Sequence, residues 1–443
     1  MLPRYSGLLT DLYQFTMLQG YLDHGMEEVA VYEFFARKLP PTRNFYLAAG
    51  LEQVLEFLET LSFSADEVDW LEQTGRFNRR FLDYVRDFRF SGDVDAMPEG
   101  TVFFPDEPIL RVVAPIPQAQ LVETRLINLL HYQSLVASKA ARVALAAPGK
   151  LLVEFGLRRA HGAEAGMLAA RACYLAGFSG SSNVLAEREF GIPSYGTMAH
   201  AFVQAHGDEA QAFEDFARSH PGNVVLLIDT YDTEAAAHKV VELAPRLARD
   251  GIQIKAVRLD SGDLGAHARR VRAILDQGGL SETGIFASGN LDEYEVARLV
   301  AEGAPIGGFG VGTSLVTSSD APYLECAYKL QEYAGQPRRK RSEGKATWPG
   351  RKQVFRGYGA DGRMTGDVLA LEQDAQPGEP LLRPFMRGGK RLAPATPLSE
   401  TRAHAAAELG RLPQALRGIE KAAPYRVEYA RGLQDLVRAM DQR

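Results

Sequence analysis

Hydrophobic positions through the middle of the chain fall in short runs rather than long stripes. Apolar stretches recur at 151–155, 176–180, 224–228, 254–259, 285–287 and 306–309, and 192–195 supplies a shorter one. Between them, 233–248, 265–275 and 292–301 are alanine-rich and carry apolar residues at helical spacing. Strand and helix alternating over about 30 residues predicts βα units around a parallel sheet. Consecutive units without a halfway break favour a closed, irregular barrel. An open doubly wound sheet is the alternative, since spacing alone does not decide closure.

The flanks follow another rhythm. The N-terminal part predicts a helix over 11–22, a strand over 31–35, a helix over 51–61 and extended pieces at 101–104 and 109–113. After about residue 315 come a basic, glycine-containing stretch at 338–356, glycine turns and an alanine-rich helical tail. The expected fold is therefore α/β, with an irregular TIM-like barrel over 131–320. A second α/β sandwich domain over 1–130 is joined by part of the C-terminal region, with 321–443 completing it.

Composition narrows the class. With 443 residues, 46% hydrophobic, the chain can bury a large core. Its net charge of -6 argues against a non-specific nucleic-acid binder, which needs a basic surplus or stripe. The two cysteines, Cys173 and Cys326, lie far apart without CxxC spacing, so no zinc site is expected. No apolar run reaches bilayer length and the N-terminus lacks a signal pattern. A cytoplasmic protein with no membrane partner is expected.

Chemistry-bearing residues gather where the predicted strands end. Phe155 runs into Gly156 and Arg158; Gly180 into Ser182 and Asn183; Thr197 leads to His200. Asp229, Asp260, Gly289–Asn290 and Gly312–Thr313 follow the later strands. In a βα barrel these positions share one rim, where active sites are built. One such cluster would be a turn with a helix cap; several in register are hard to explain by capping alone. Glycine, serine and threonine before helices offer backbone N–H groups to anions. Asp229, Asp232, Asp260 and Asp263 suit Mg²⁺ or ribose hydroxyls, or simply cap helices. Arg158 and Arg258 offer forks for carboxylate or phosphate.

Taken in order, LLTDLYQFTM, EFGLRRAHG, GFSGSSNVLA, GTMAHAFVQ, VRLDSGDL, FASGNLDE and FGVGT resemble the nicotinate phosphoribosyltransferases over nearly the whole chain, SEGKATWPGRKQVFR included. GTMAH with RLDSGDL is the most specific part. The resemblance implies a type II phosphoribosyltransferase fold and a homodimer with shared active sites. It implies a reaction of nicotinate, phosphoribosyl pyrophosphate, ATP and water that yields nicotinate mononucleotide, pyrophosphate, ADP and phosphate, the first step of NAD biosynthesis from nicotinate. His200 matches the family's phosphorylated histidine, a residue type competent as a nucleophile near neutral pH. Tyr13, supplied across the dimer, and Phe155 match the aromatic pair around the pyridine ring. Arg258, with Thr197 nearby, matches the partner of the nicotinate carboxylate; Arg158 matches that role or a phosphate contact. Gly312, Thr313, Gly289 and Asn290 match the phosphoribosyl cradle. Asp229 and Asp260 match contacts to ribose hydroxyls or to Mg²⁺ and pyrophosphate. Lys329, Lys345 and Lys352 are further phosphate candidates, with a solvated basic face as their alternative. His161 stands where many relatives carry glutamine, and Ser181 where threonine is usual.

Nicotinamide phosphoribosyltransferase is the nearest rival. Its amide-binding aspartate aligns with Ser182, and a serine does not repel a carboxylate as a buried aspartate would. A quinolinate enzyme would be shorter and lack GTMAH. A non-catalytic protein on the same fold would be expected to lose His200 or the Asp260 region, and both are present.

Overall fold

The computed structural model describes residues 6–342 and 346–442, so Lys345 lies outside the described residues. The chain divides into two compact units, 139–320 and the combination of 1–138 with 321–443. Among the described residues, no helix is long and apolar enough to cross a membrane.

Unit 139–320 is built on a six-stranded sheet. Its order is Gly180–Ser181, Leu151–Glu154, Gly308–Val311, Gly284–Ala287, Ile254–Leu259 and Val224–Leu227, every pair parallel. Parallel neighbours need crossovers, and helices supply them. The Thr233–Arg249 helix shows how: Asp232 accepts a hydrogen bond from Ala235 N (2.8 Å), Glu234 sits in the first turn and Arg246 and Arg249 in the last. Ala236, Val240, Leu243 and Leu247 bury one face at spacings of three to four residues. Val153, Leu227, Val257, Leu259, Ala287 and Val311 have no exposed surface, whereas Arg258 and Phe286, which alternate with them, stay half-buried. The ladder is a half-barrel: among the described residues none joins the Gly180–Ser181 edge to Val224–Leu227, and only a single bridge from Ser181 to Ser194 extends it.

Two strand expectations shift. The apolar run 176–180 mostly closes the Ala163–Leu175 helix. Gly177, at φ +118°, donates to Tyr174 O (3.2 Å) and Phe178 to Cys173 O (3.0 Å), a Schellman cap. The strand is left with Gly180–Ser181 alone. The run at 306–309 begins its strand at Gly308, after a turn through Ile306.

The other unit holds a seven-stranded sheet in which Cys326–Tyr333 pairs antiparallel with Val29–Ala36, and Arg383–Arg387 with Asp93–Ala96. A four-stranded sheet contains Lys352–Tyr358 and Met364–Leu371. The basic stretch at 338–356 therefore includes strand, which its charges conceal. Lys352 is buried and ion-paired with Glu33 at 2.7 Å, and Arg356 with Asp367 at 2.6 Å. Lys352 is thus neither a solvated lysine nor a free phosphate contact. Its cation is already matched.

Unit 139–320 has its own buried charges. Lys139 reaches Glu293 at 2.7 Å and Asp320 at 2.8 Å, and Arg142 reaches the other Glu293 oxygen at 3.2 Å. Removing one member of such a set strands a partner without water. Lys139→Ala should therefore destabilise this unit by about 3 kcal/mol or more. Breaking the exposed Arg246–Glu214 pair (3.1 Å) by Arg246→Ala should cost under about 1 kcal/mol. Urea unfolding of the two variants checks this; equal shifts would show that the buried network carries no special weight.

Candidate active site

The strand C-termini of unit 139–320 open onto a cavity of about 800 Å³. Phe155, Arg158, Ser182, Thr197, Arg258, Asp260, Gly289, Asn290, Gly312 and Thr313, all singled out from sequence, line it. Register brings them together: each sits at or just past the end of a strand in one parallel sheet, or in the segment between 182 and 200.

Arg258 is the hub. It lies near the end of Ile254–Leu259, and its side chain is only 14% exposed. Nη1 donates to Thr197 Oγ1 (2.9 Å) and Met198 O (3.2 Å), Nε to Ser288 Oγ (3.0 Å), and Nη2 to Asp260 Oδ1 (3.4 Å). Ser288 in turn donates to Asp260 Oδ1 at 2.6 Å. The guanidinium carbon stands 5.9 Å from the centre of the Phe155 ring. A flat aromatic face and a held cation therefore share one end of the cavity, a pairing suited to a flat, anionic ring.

The glycines here answer to close approach. Gly289 has φ +91°, and a Cβ there would lie 1.9 Å from Asp260 O, so only glycine lets this turn cross the neighbouring strand end. A Cβ on Gly310 would lie 2.5 Å from the Phe155 ring. Asn290 continues the turn at φ +49°.

His200 opens the helix His200–His206 beside the lining residue Ala199. Its Nδ1 is 3.2 Å from Thr230 Oγ1, and its Nε2 is 3.8 Å from Asp260 Oδ2. Asp229 Oδ2 accepts from Asp260 N (2.9 Å) and Ser261 Oγ (2.6 Å), whereas Asp229 Oδ1 is buried without a partner. The four aspartates thus separate. Asp232 and Asp263 cap helices, through Ala235 N and Ala266 N. Asp229 instead reaches the end of the neighbouring strand, and Asp260 faces Ser288, Arg258 and His200. Their hard oxygens and the orphaned Oδ1 fit Mg²⁺, which takes one or two carboxylates and completes its shell with water and phosphate. Among the described residues no group of three or more His, Cys, Asp or Glu could hold a metal, so the chain alone would not supply a full shell.

Tyr13 and Lys329 belong to the other unit. There both meet Glu123: Tyr13 Oη at 3.4 Å and Lys329 Nζ at 3.1 Å. Tyr13 is 47% exposed. Burial, then the Glu123 charge, raise its phenol pKa. Arg158 is exposed at the cavity, on the single turn Leu157–Arg159. Ser288, within FASGNLDE, and Thr230, next to Asp229, carry no role assigned from sequence. Their importance lies in hydrogen bonds to Arg258 and His200, which sequence spacing does not reveal.

Comparison with known proteins agrees across the chain. Residues 8–131 match the nicotinate phosphoribosyltransferase N-terminal domain, 151–345 the nicotinate phosphoribosyltransferase family, and 376–437 its C-terminal domain. Nicotinate phosphoribosyltransferase pncB2 of Mycobacterium tuberculosis is 50% identical over 94% of this chain and 89% of its own. The crystal structure of human nicotinic acid phosphoribosyltransferase superposes with a TM-score of 0.86 at 33% identity, covering 98% of this chain and 100% of that one. Nicotinate-nucleotide pyrophosphorylase from Pyrococcus furiosus gives 0.74 at 27% identity, over 91% and 95%. Half-barrel, rim and sequence agree: this chain belongs to the nicotinate phosphoribosyltransferase family.

Proposed function

We propose that the chain joins nicotinate to phosphoribose and couples the transfer to ATP hydrolysis. The observation that carries this is Arg258, held by Thr197, Ser288 and Asp260 over the face of Phe155. In this reading Phe155 stacks on the pyridine ring and Arg258 takes the carboxylate, with Ser182 adding no opposing charge. The ring nitrogen attacks the anomeric carbon of phosphoribosyl pyrophosphate, and the bond to the pyrophosphate oxygen breaks. Gly289, Asn290, Gly312 and Thr313 receive the phosphoribosyl group, while Arg158, lining the same cavity, serves the nicotinate carboxylate beside Arg258. Asp229 and Asp260 would hold Mg²⁺, which when bound neutralises phosphate charge.

His200 receives the γ-phosphoryl group of ATP. Thr230 flanks Nδ1 and Asp260 flanks Nε2; the nitrogen that does not carry the ring proton supplies the lone pair that attacks phosphorus. The N–P bond forms as the bond to the ADP oxygen breaks, and water later releases phosphate. A homodimer completes the site by placing Tyr13 of one copy against the ring bound by the other; Lys329, beside Tyr13 at Glu123, would come with it. Substrates alone, not nucleic acid or membrane, are the intended ligands.

Arg258→Ala should lose roughly 2–4 kcal/mol of transition-state stabilisation for nicotinate, about 30- to 1,000-fold in kcat/KM. Unchanged steady-state kinetics would take the carboxylate away from Arg258. Incubation with ATP and Mg²⁺ should place an acid-labile, base-stable phosphate on His200, read by peptide mapping at neutral pH. His200→Ala should end ATP consumption while leaving slow ATP-independent synthesis; a phosphate on another residue removes His200 from the role. Mixing Tyr13→Ala and His200→Ala chains should restore activity in hybrid dimers, each with one site carrying both native residues. No recovery after verified subunit exchange would exclude a shared site.

A further inference from the structure

Two neighbouring strand ends beside Phe155 carry lining residues of the cavity, and one side chain touches the turns that follow both. Glu154 closes Leu151–Glu154 and has no exposed surface. Its Oε2 accepts from Ser181 Oγ at 2.6 Å, and its Oε1 accepts from Gly156 N. Its main-chain oxygen accepts from Ser182 N at 2.8 Å. Ser181 Oγ also accepts from Asn183 N at 3.0 Å. The turn that starts at Gly156 carries Arg158, and the turn 181–183 carries Ser182; both residues line the cavity.

We propose that Glu154 is a positioning residue for the acid substrate, its carboxylate locking the Arg158 turn and the Ser182 turn side by side at the ring-binding end. This rests on the reading of that end as the nicotinate pocket. There is little slack in the arrangement. A Cβ on Gly156 would lie 2.3 Å from Val316 Cγ1 and 2.9 Å from Glu154 Oε1, so the turn is pressed against the carboxylate. Both carboxylate oxygens act as acceptors. Burial raises the pKa of Glu154, and the hydrogen bonds from Ser181 and Gly156 act against it by favouring the charged form.

Glutamine at this position is the informative change. It keeps the size but must turn an amide N–H₂ toward either Gly156 N–H or Ser181 Oγ, so one acceptor is lost. Ser181 then has a proton without its acceptor, or Gly156 N–H is left buried and unpaired. The turns should loosen while the strand core, packed by other side chains, holds.

The test is steady-state kinetics and thermal melting of Glu154→Gln, Ser181→Val and Ser181→Thr beside the wild type. Glu154→Gln and Ser181→Val should each raise KM for nicotinate about tenfold, with KM for phosphoribosyl pyrophosphate within about twofold of wild type. Ser181→Thr, which keeps the hydroxyl, should behave as wild type. The double variant Glu154→Gln/Ser181→Val should be no worse than the poorer single one, because with valine at 181 the glutamine can turn its oxygen to Gly156 N–H without competing for Ser181. Unchanged nicotinate KM in both single variants overturns the proposal. So does a parallel rise in both KM values that tracks lost thermal stability, which marks a purely structural role. If Glu154→Gln does not fold, the Ser181 pair decides alone. A wild-type enzyme inactive on nicotinate would instead sink the functional reading beneath it.

Discussion

Holding a guanidinium still at the end of a strand is the constraint on which the site depends. Arg258 is mostly withdrawn from water, so its donors must find acceptors or the charge is costly to bury. Three of those acceptors are side chains from separate places: Thr197 before the His200 helix, Ser288 after Gly284–Ala287, and Asp260 on its own strand end. Satisfying them fixes the relative height of neighbouring strands. Gly289 can cross Asp260 O only because it lacks a Cβ, and Gly310 likewise makes room for the Phe155 ring. Parallel register, small residues and one cation thus specify a single geometry.

The same pairing links the two halves of the proposed chemistry. Asp260 faces Arg258 through Oδ1 and His200 through Oδ2. A change of charge on the imidazole is therefore felt by the residue that helps orient the cation at the ring-binding end. Asp229 stands one strand further along, holding the Asp260 backbone and leaving an oxygen free. Coupling across one 3.8 Å contact and one hydrogen bond needs no large motion.

Much of this was legible because parallel strands backed by helices announce themselves as short apolar runs followed by polar turns. The positions of Phe155, Arg258 and Gly312 followed from that rhythm, and their roles from motif resemblance. Where reading failed, charge or capping intervened. Lys352 was open to reading as a phosphate contact or a solvated basic face, and the strand through Arg356 only as a basic stretch, because burial of an ion pair leaves no mark on composition. The run 176–180 read as strand because a Schellman cap also places apolar residues beside glycine. Asp232 and Asp263 could not be separated from Asp229 and Asp260 by sequence, since all four follow strands. Only hydrogen-bond partners distinguish a helix cap from an acid left with a free oxygen.

A cation fixed over an aromatic face should select an anionic pyridine over a neutral one. The direct measurement is kcat/KM of the wild-type protein for nicotinate and for nicotinamide, with products identified by mass, each with and without ATP. The neutral amide forgoes the charge-assisted hydrogen bond that the carboxylate makes. Nicotinate should therefore be preferred by about 100-fold, with ATP raising the efficiency on nicotinate. Comparable efficiencies on the acid and the amide would contradict the account.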